Sequence, residues 1–481
     1  MDKYLNERCI VTEDGVFYYS SDAVITRADV MRFISENEVL AAKYASYGRY
    51  YKAKHDKIIN AEVKPNNKPD NRLILNYPKK LVDTYTGFAV GKPVQITLQE
   101  DMANKSLSEF NQTRNIDTLI AKVWKESAIY GRAYFYVYGA NKEIYVTDAT
   151  PMDCFVIYDN TVAHEPLYAV RYSKVGPAQR YQVTIYSNDY QYNFESGNGR
   201  DSLGDRKQNP FHIIPIIEVV ENDERLSVIA NVKTLIDELD KSLSEKANDV
   251  DYFADAYMKV LGAILSDDEI KKLRDMRIIN LKSATNEDEQ PENLDVDFLS
   301  KPNADETQEN LINRIVDNLY QISMIVNLND KDFGNSTGVA LEMKYKPMMN
   351  LSTLKGRMFS RSLKHMYKVI FASDLIEHVD INTWKDLDIN YQFDLPHDTL
   401  TEAQTAQALA NLGISRLTWL KTISAVNDPK QEEENMDAEK RKQVQQNYEF
   451  LKSGHVVTDG EANDNSTTGK GTNRPTAKPG Q

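Results

Sequence analysis

Catalysis needs particular side chains at particular spacings, and this sequence offers few of them. A phosphate loop requires two glycines five positions apart, followed by Lys and then Ser or Thr on Mg²⁺. The segment GFAVGKPV comes nearest. Gly87 and Gly91 are one residue too close, and Pro93 stands where the hydroxyl must be. Helix termination at glycine is the better reading. The seven histidines (His55, His164, His212, His365, His378, His397 and His455) are scattered. No HExxH, no Cys pair at zinc spacing and no GxSxG elbow is present. Carboxylates are abundant, yet no pair stands out as an acid and base. The expectation is no catalytic residue, no cofactor site and no metal site.

Charge is then the remaining chemistry. The chain has 481 residues, with 58 Lys+Arg against 72 Asp+Glu and a net charge of −14. Affinity for a phosphate backbone comes from Lys and Arg, so an acidic chain is a poor general nucleic-acid binder. A protein that handles DNA without gripping it is not excluded. Hydrophobic residues make up 41%, enough for a sizeable core. Mean hydropathy is −0.56, and no run approaches the ~20 apolar residues that span a bilayer. The N-terminus lacks the apolar stretch of a secretory signal. Cys9 and Cys154 alone build no disulfide framework, which fits folding in a reducing cytoplasm.

The elements that must position this charge are legible from periodicity. Val30, Phe33, Ile34 and Ala41 predict a helix from Arg27 to Tyr51. After the break KPNNKPDNR, a helix ending near Gly87 or Gly91 feeds a strand. Residues 130–220 read as mostly antiparallel β, with Tyr134, Tyr136 and Tyr138 on one face of a strand. Further strands are expected at Phe155–Tyr158, Leu167–Tyr172, Tyr181–Tyr186 and Tyr190–Phe194. Then Ile229, Val232, Ile236, Leu239 and Leu243 mark one apolar seam on a helix of roughly 30 residues, about 45 Å long. Between Glu221 and Asp255 there are 10 acids and 4 bases. A second helix carries Ile312, Ile315, Leu319, Ile322 and Val326 along one side. Such helices need a covering partner, which suits a hairpin standing in a ring of identical copies; an ordinary helical domain is the plainer alternative. A long helix from Val339 to Asp374 holds Lys344, Lys346, Lys355, Arg357, Arg361, Lys364 and Lys368, with a kink expected at Pro347. Its cations suit either a nucleic-acid face or, in this acidic chain, acidic helices of its own or a neighbouring subunit. Helices are also expected at Thr401–Leu412 and Thr418–Val426, then through EEENMDAEKRKQVQQNYEFLK. The tail from 453 to 481 has the composition of a disordered segment.

Four stretches together resemble the portal proteins of tailed bacteriophages, most closely the type of long-tailed phages of Gram-positive hosts. They are NRLILNYPKKLVDTYTGFAVGKPV, IIPIIEVVENDERLSVIANVKTLIDELDKSLSEKANDVDYFADAYMKVLG, DFLSKPNADETQENLINRIVDNLYQISMIVNLNDKDFGNSTGVALEMKY and NLGISRLTWLKTISAVNDPKQEEE. They occur in the family's order. The resemblance implies an α+β, ring-forming portal fold: an α/β wing, a long-helix stem, a small α/β clip and a helical crown. It places the wing at 27–223 and 339–394, and the stem helices at 224–256 and 305–327. The clip falls at 257–304, a tunnel loop at 328–338 and the crown at 395–452. Segments 1–26 and 453–481 receive no role.

The implied function is a dodecameric ring at one capsid vertex of the virion, assembled in the host cytoplasm, through which double-stranded DNA is packaged and ejected. Implied partners are the chain itself, the terminase large subunit, the head–tail adaptor, the scaffolding protein and the major capsid protein, with no membrane. Physically, a conduit must surround a polyanion without holding it. Asp237, Glu238, Asp240, Glu245 and Asp249 are the expected acidic lining. In the tunnel loop, Asn329, Asp330, Lys331, Asp332 and Phe333 would meet DNA, with Gly334 and Gly338 as hinges. Glu287, Asp288, Glu289 and Glu292 would form the clip surface for partners. Two rival readings are another head–tail connector ring component, usually a far shorter chain, and a nucleic-acid-processing enzyme, which would need clustered ligands.

Overall fold

The computed structural model describes residues 2–65, 69–197, 203–254, 258–261, 295–298, 305–328, 338–393, 399–423, 425–426 and 429–452. The chain divides into two units, Met1–Pro396 and His397–Gln481. It is mixed, 50% helical and 19% strand.

The first unit is layered. Its strands are β1 (Lys3–Tyr4), β2 (Cys9–Val11), β3 (Phe17–Tyr19), β4 (Gln95–Thr97), β5 (Arg132–Ala140), β6 (Glu143–Ala149), β7 (Cys154–Asp159), β8 (Pro166–Val175), β9 (Arg180–Tyr186), β10 (Tyr190–Glu195), β11 (Asp205–Gln208), β12 (Ile216–Val220), β13 (Met258–Leu261), β14 (Asp295–Phe298) and β15 (Asp388–Asn390). An eight-stranded sheet runs β1-β2-β3-β7-β8-β9-β10-β11. Its pairings are antiparallel except β3 with β7, where Phe17 lies beside Ile157 in parallel. The N-terminal segment, given no role by the sequence, thus completes this sheet. Its strands are too short for periodicity to reveal them.

Helix α1 (Arg27–Tyr51) covers one face, with Val30, Phe33 and Ile34 packed on Phe17, Phe155 and Val170. Thr26 caps it reciprocally with Asp29. Asp29 also accepts from Asn6 at 2.9 Å and Tyr19 at 3.1 Å, tying the N-terminal strands to the helix. Burial opposes ionisation of Asp29, but these hydrogen bonds outweigh it and hold its carboxyl below the usual range. The other sheet face meets a three-stranded sheet, β12-β5-β6, through Tyr134, Val156, Ala169 and Ile216.

Strand β5 is buried on both faces, hence its nearly unbroken apolar run. Phe135 and Val137 point the opposite way, toward α3 (Tyr77–Val90), after the short α2 (Asp56–Ile59), and toward α5 (Ile116–Tyr130), which follows α4 (Asp101–Thr113). At the centre of this layer Trp124 is fully buried, with Phe359 at 5.0 Å and Tyr391 at 6.0 Å between ring centroids.

Helix α6 (Lys233–Ala254) has 22 residues and is about 33 Å long. It is shorter than its sequence suggests because residues 221–229 are held in turns. Asn222 Oδ1 accepts from Leu226 N at 2.7 Å, Arg225 has φ +54°, and Ser227 Oγ accepts from Ile229 N at 3.0 Å. Helix α7 (Asp305–Ser323) is its antiparallel companion by connectivity. Leu239 packs on Ile312 and Ile315, and Lys246 pairs with Glu309. Ile229, Val232 and Ile236 are fully buried in the core that Trp124 centres. The apolar seam is therefore covered within the chain over these positions, and needs no neighbouring copy there. Leu243 is half-buried and Val250 is 63% exposed. Between α6 and α7 in the chain, β13 pairs antiparallel with β14.

Helix α8 (Gly338–Phe371) has 34 residues and continues through Pro347. It packs on β12, α3 and β5. Beyond it, β15 pairs antiparallel with β4, the strand that follows Gly91-Lys92-Pro93.

In the second unit, α9 (Thr399–Asn411), α10 (Arg416–Leu420) and α11 (Pro429–Lys452) pack in sequence, with Arg416 paired to Asp437 at 2.6 Å. The second helix is shorter than expected. The Thr422 hydroxyl donates to Trp419 O at 2.7 Å, and the chain tightens into three-residue turns at Thr422 and Ile423.

Candidate functional site

The polar residues of α6 follow a spacing that the segment before α3 matches. Residues four apart on a helix stand about 6.0 Å apart along its axis, and residues two apart on an extended chain about 6.6 Å. The Asn-rich segment before α3 lies extended and antiparallel along α6. Leu75 N donates to Asp240 Oδ1 at 2.8 Å, Leu73 N to Ser244 Oγ at 2.9 Å, and Asn71 N to Asn248 Oδ1 at 2.6 Å. Asn71 Nδ2 adds a bond to Asp251 at 2.5 Å, and Lys64 pairs with Glu245 at 2.7 Å. A strap with no strand beside it thus finds acceptors for alternate N–H groups on successive helical turns.

Asp240 is fully buried and its second oxygen meets His55 Nδ1, while His55 Nε2 lies 3.2 Å from Tyr50 O. The His55 ring stacks on Tyr50 at 4.6 Å, and the Tyr50 hydroxyl donates to Asp237 at 2.5 Å. Asp237 is also buried, with Lys57 at 3.3 Å. These two acids face the chain's own α1–α2 corner. Both are buried within the chain rather than exposed on the helix surface. Glu238 and Glu245 are exposed, and Asp249 is half-buried with a partner. Replacing Ser244 by Ala removes the acceptor of Leu73 N and should cost about 1 kcal/mol. Faster amide exchange at Leu73 alone among the strap residues would report it; unchanged exchange would refute the ladder.

Strand β12 and the residue that follows it bring two carboxylates inside, Glu218 with its side chain 5% exposed and Glu221 at 3%. Glu218 meets Arg225 at 3.1 Å, Arg132 at 3.2 Å and the Tyr158 hydroxyl at 2.7 Å. Arg132 also donates to Gly15 O at 3.0 Å and Asp14 O at 2.6 Å, so the N-terminal hairpin joins the same network. Burial works against ionisation of Glu218, yet Arg225 and Arg132 hold its carboxyl down to about 2. Glu221 pairs with Lys355, whose ammonium also donates to Trp124 O at 2.9 Å and sits 4.2 Å over the Trp124 ring. Here desolvation outweighs the pairing: it pushes Lys355 down to about 8 and Glu221 up. Gly131 makes the close approach possible. Its φ is +90°, and a Cβ would lie 2.1 Å from Arg225 O.

The structure therefore brings together residues that the sequence reading left apart. Glu218 was visible only as a charge in an apolar strand. Lys355 falls in line with Phe359 and Met366 on the buried side of α8, and that break in the pattern was its signal. Asn329, Asp330, Lys331, Asp332, Phe333 and Gly334 lie outside the described residues, as do Glu287, Asp288, Glu289 and Glu292. Gly338 is the first residue of α8. Among the described residues no group of three or more His, Cys, Asp or Glu could hold a metal. No described helix is long and apolar enough to cross a membrane.

The chain belongs to the phage portal protein family, SPP1 Gp6-like, whose sequence model it matches over residues 32–446. It is accordingly a structural component of the capsid and not an enzyme. No curated protein sequence matches it. Among solved structures, it is similar to a chain in the virion of native gene transfer agent (GTA) particle, with 12% identity and a TM-score of 0.41, covering 78% of this chain and 94% of that one. A chain in the neck of native GTA particle computed with C12 symmetry gives 11%, 0.42, 79% and 95%.

Proposed function

We propose that this chain forms a closed ring, twelve-fold in the virion, at one capsid vertex, and that double-stranded DNA passes through its axis during packaging and ejection. Membership of the portal family over residues 32–446 is the observation that carries this reading. Within it, 27–223 and 339–394 serve as wing, 224–256 and 305–327 as stem, 257–304 as clip and 395–452 as crown. The type is that of long-tailed phages of Gram-positive hosts. The ring nucleates the head with scaffolding and major capsid proteins in the host cytoplasm. It then docks the terminase large subunit and later the head–tail adaptor, through a clip surface at Glu287, Asp288, Glu289 and Glu292.

Of the acids expected to line the bore, Glu238 and Glu245 are exposed and would give it a negative wall, although Lys241 and Lys64 offset part of their charge. An electronegative wall repels phosphate and keeps the duplex near the axis. In the tunnel loop Lys331 touches phosphate transiently, while Asp330 and Asp332 oppose tight holding; Gly334 and Gly338 let the loop shift. The test is negative-stain electron microscopy of the purified full-length protein. Rings with a central hole are expected, and a population of monomers alone would refute the reading.

A further inference from the structure

The long helix α8 leaves one stripe uncovered. Met343, Lys346, Asn350, Leu354, Arg357 and Arg361 are all exposed and recur at spacings of three and four, so they share a face. Met343 is 72% and Leu354 57% exposed. Lys346, Arg357 and Arg361 have no hydrogen-bond or ion-pair partner among the described residues. The helix holds a single acid, Glu342. This is a cationic stripe in a chain of net charge −14.

Its complement lies on the second stem helix. Glu306, Asn310, Asn313 and Asp317 are exposed on one face of α7, and neither acid has an ion-pair partner among the described residues. Arg314, the only cation of α7, lies off that line. Lys346 and Arg357 are eleven residues apart, as are Glu306 and Asp317. Eleven residues make about three turns and about 16 Å, so both pairs lie on one line with one separation. Two cations on one helix can thus meet two acids on another without bending either.

We propose that the Lys346–Arg357 stripe of α8 docks on the Glu306–Asp317 face of α7 in a second copy of this chain. The proposal rests on the ring reading above and names the surfaces that would make the subunit contact. A phosphate backbone fits the stripe less well, because Met343 and Leu354 would gain nothing against it, whereas a protein surface can cover them.

The test compares full-length wild type with three variants by sedimentation velocity and electron microscopy. Lys346→Glu with Arg357→Glu sets acid against acid, and Glu306→Lys with Asp317→Lys sets base against base. Each pair should raise the concentration needed for rings at least about tenfold. The quadruple variant restores opposite charges and should recover rings. All four positions are exposed, so unchanged thermal unfolding of the dissociated variants is the folding control. Rings from either double variant as readily as from wild type would overturn the proposal. So would failure of the quadruple variant to reassemble. Intact rings with weakened duplex binding in the first variant would make the stripe a nucleic-acid face and overturn it too. Absence of rings from wild type would instead overturn the reading on which it rests.

Discussion

Lys355→Met should cost the first unit about 3–5 kcal/mol, because it leaves Glu221 charged, buried and unpaired. A loss of that size lowers the melting temperature by roughly 4–6 °C in a unit of this size. Trp124 fluorescence is the natural probe, since Lys355 sits over its ring. The double variant Lys355→Met with Glu221→Leu should recover most of the loss. A buried pair replaced by apolar groups is often neutral or stabilising, whereas half of one is not. Lys355 held near 8 and a raised Glu221 point the same way, since both record that burial outweighs attraction at this site. Additive losses in the double variant would show that Lys355 acts by packing alone.

The second large effect is acid sensitivity centred on Glu218. Its folded carboxyl titrates at about 2, against 4.5 for the free group. A depressed carboxylate adds stability that is fully present above the unfolded value and lost as pH falls through the folded one. The window is therefore pH 4.5 down to about 2, and the loss is about 3 kcal/mol. Urea midpoints measured from pH 5 to pH 2.5 should fall steeply in wild type. In Glu218→Gln the starting stability should be lower and the slope shallower over the same range. Parallel slopes would remove Glu218 from the account. The consequence reaches the N-terminal hairpin, because Arg132 links Glu218 to the carbonyls of Asp14 and Gly15.

Sequence periodicity located the elements that depend on local pattern. Helix α1, strands β7 to β10 and the seam of the stem helices are all set by apolar residues at two- or four-residue spacing. What it could not show is which groups meet across long separations. His55 and Asp240 are 185 residues apart, and Lys355 and Glu221 are 134 apart. Each looks like one charge among many until the fold pairs them. The acidic side of α6 is ambiguous in sequence for the same reason. A carboxylate on a helix face reads as solvent-exposed, yet Asp237 and Asp240 are sequestered by Tyr50 and His55. The start of α6 was misplaced because Asn222 and Ser227 hold turns that compete with the helix, a local effect that apolar spacing does not register. The parallel β3–β7 pairing was equally hidden, since three-residue strands carry too little pattern.

The strap beside α6 behaves like a vernier. Two scales of unequal pitch, about 6.0 and 6.6 Å, coincide over three marks and drift apart beyond them. The coincidence is self-limiting, so lengthening the strap would add no fourth rung. Slipping by one helical turn would set Tyr252 against Asn71 N and part Asp240 from His55. A deletion inside residues 71–75 would turn alternate amides away from the helix. The segment that leads into α3 is therefore indexed to α6 at one height, by the arithmetic of two backbones.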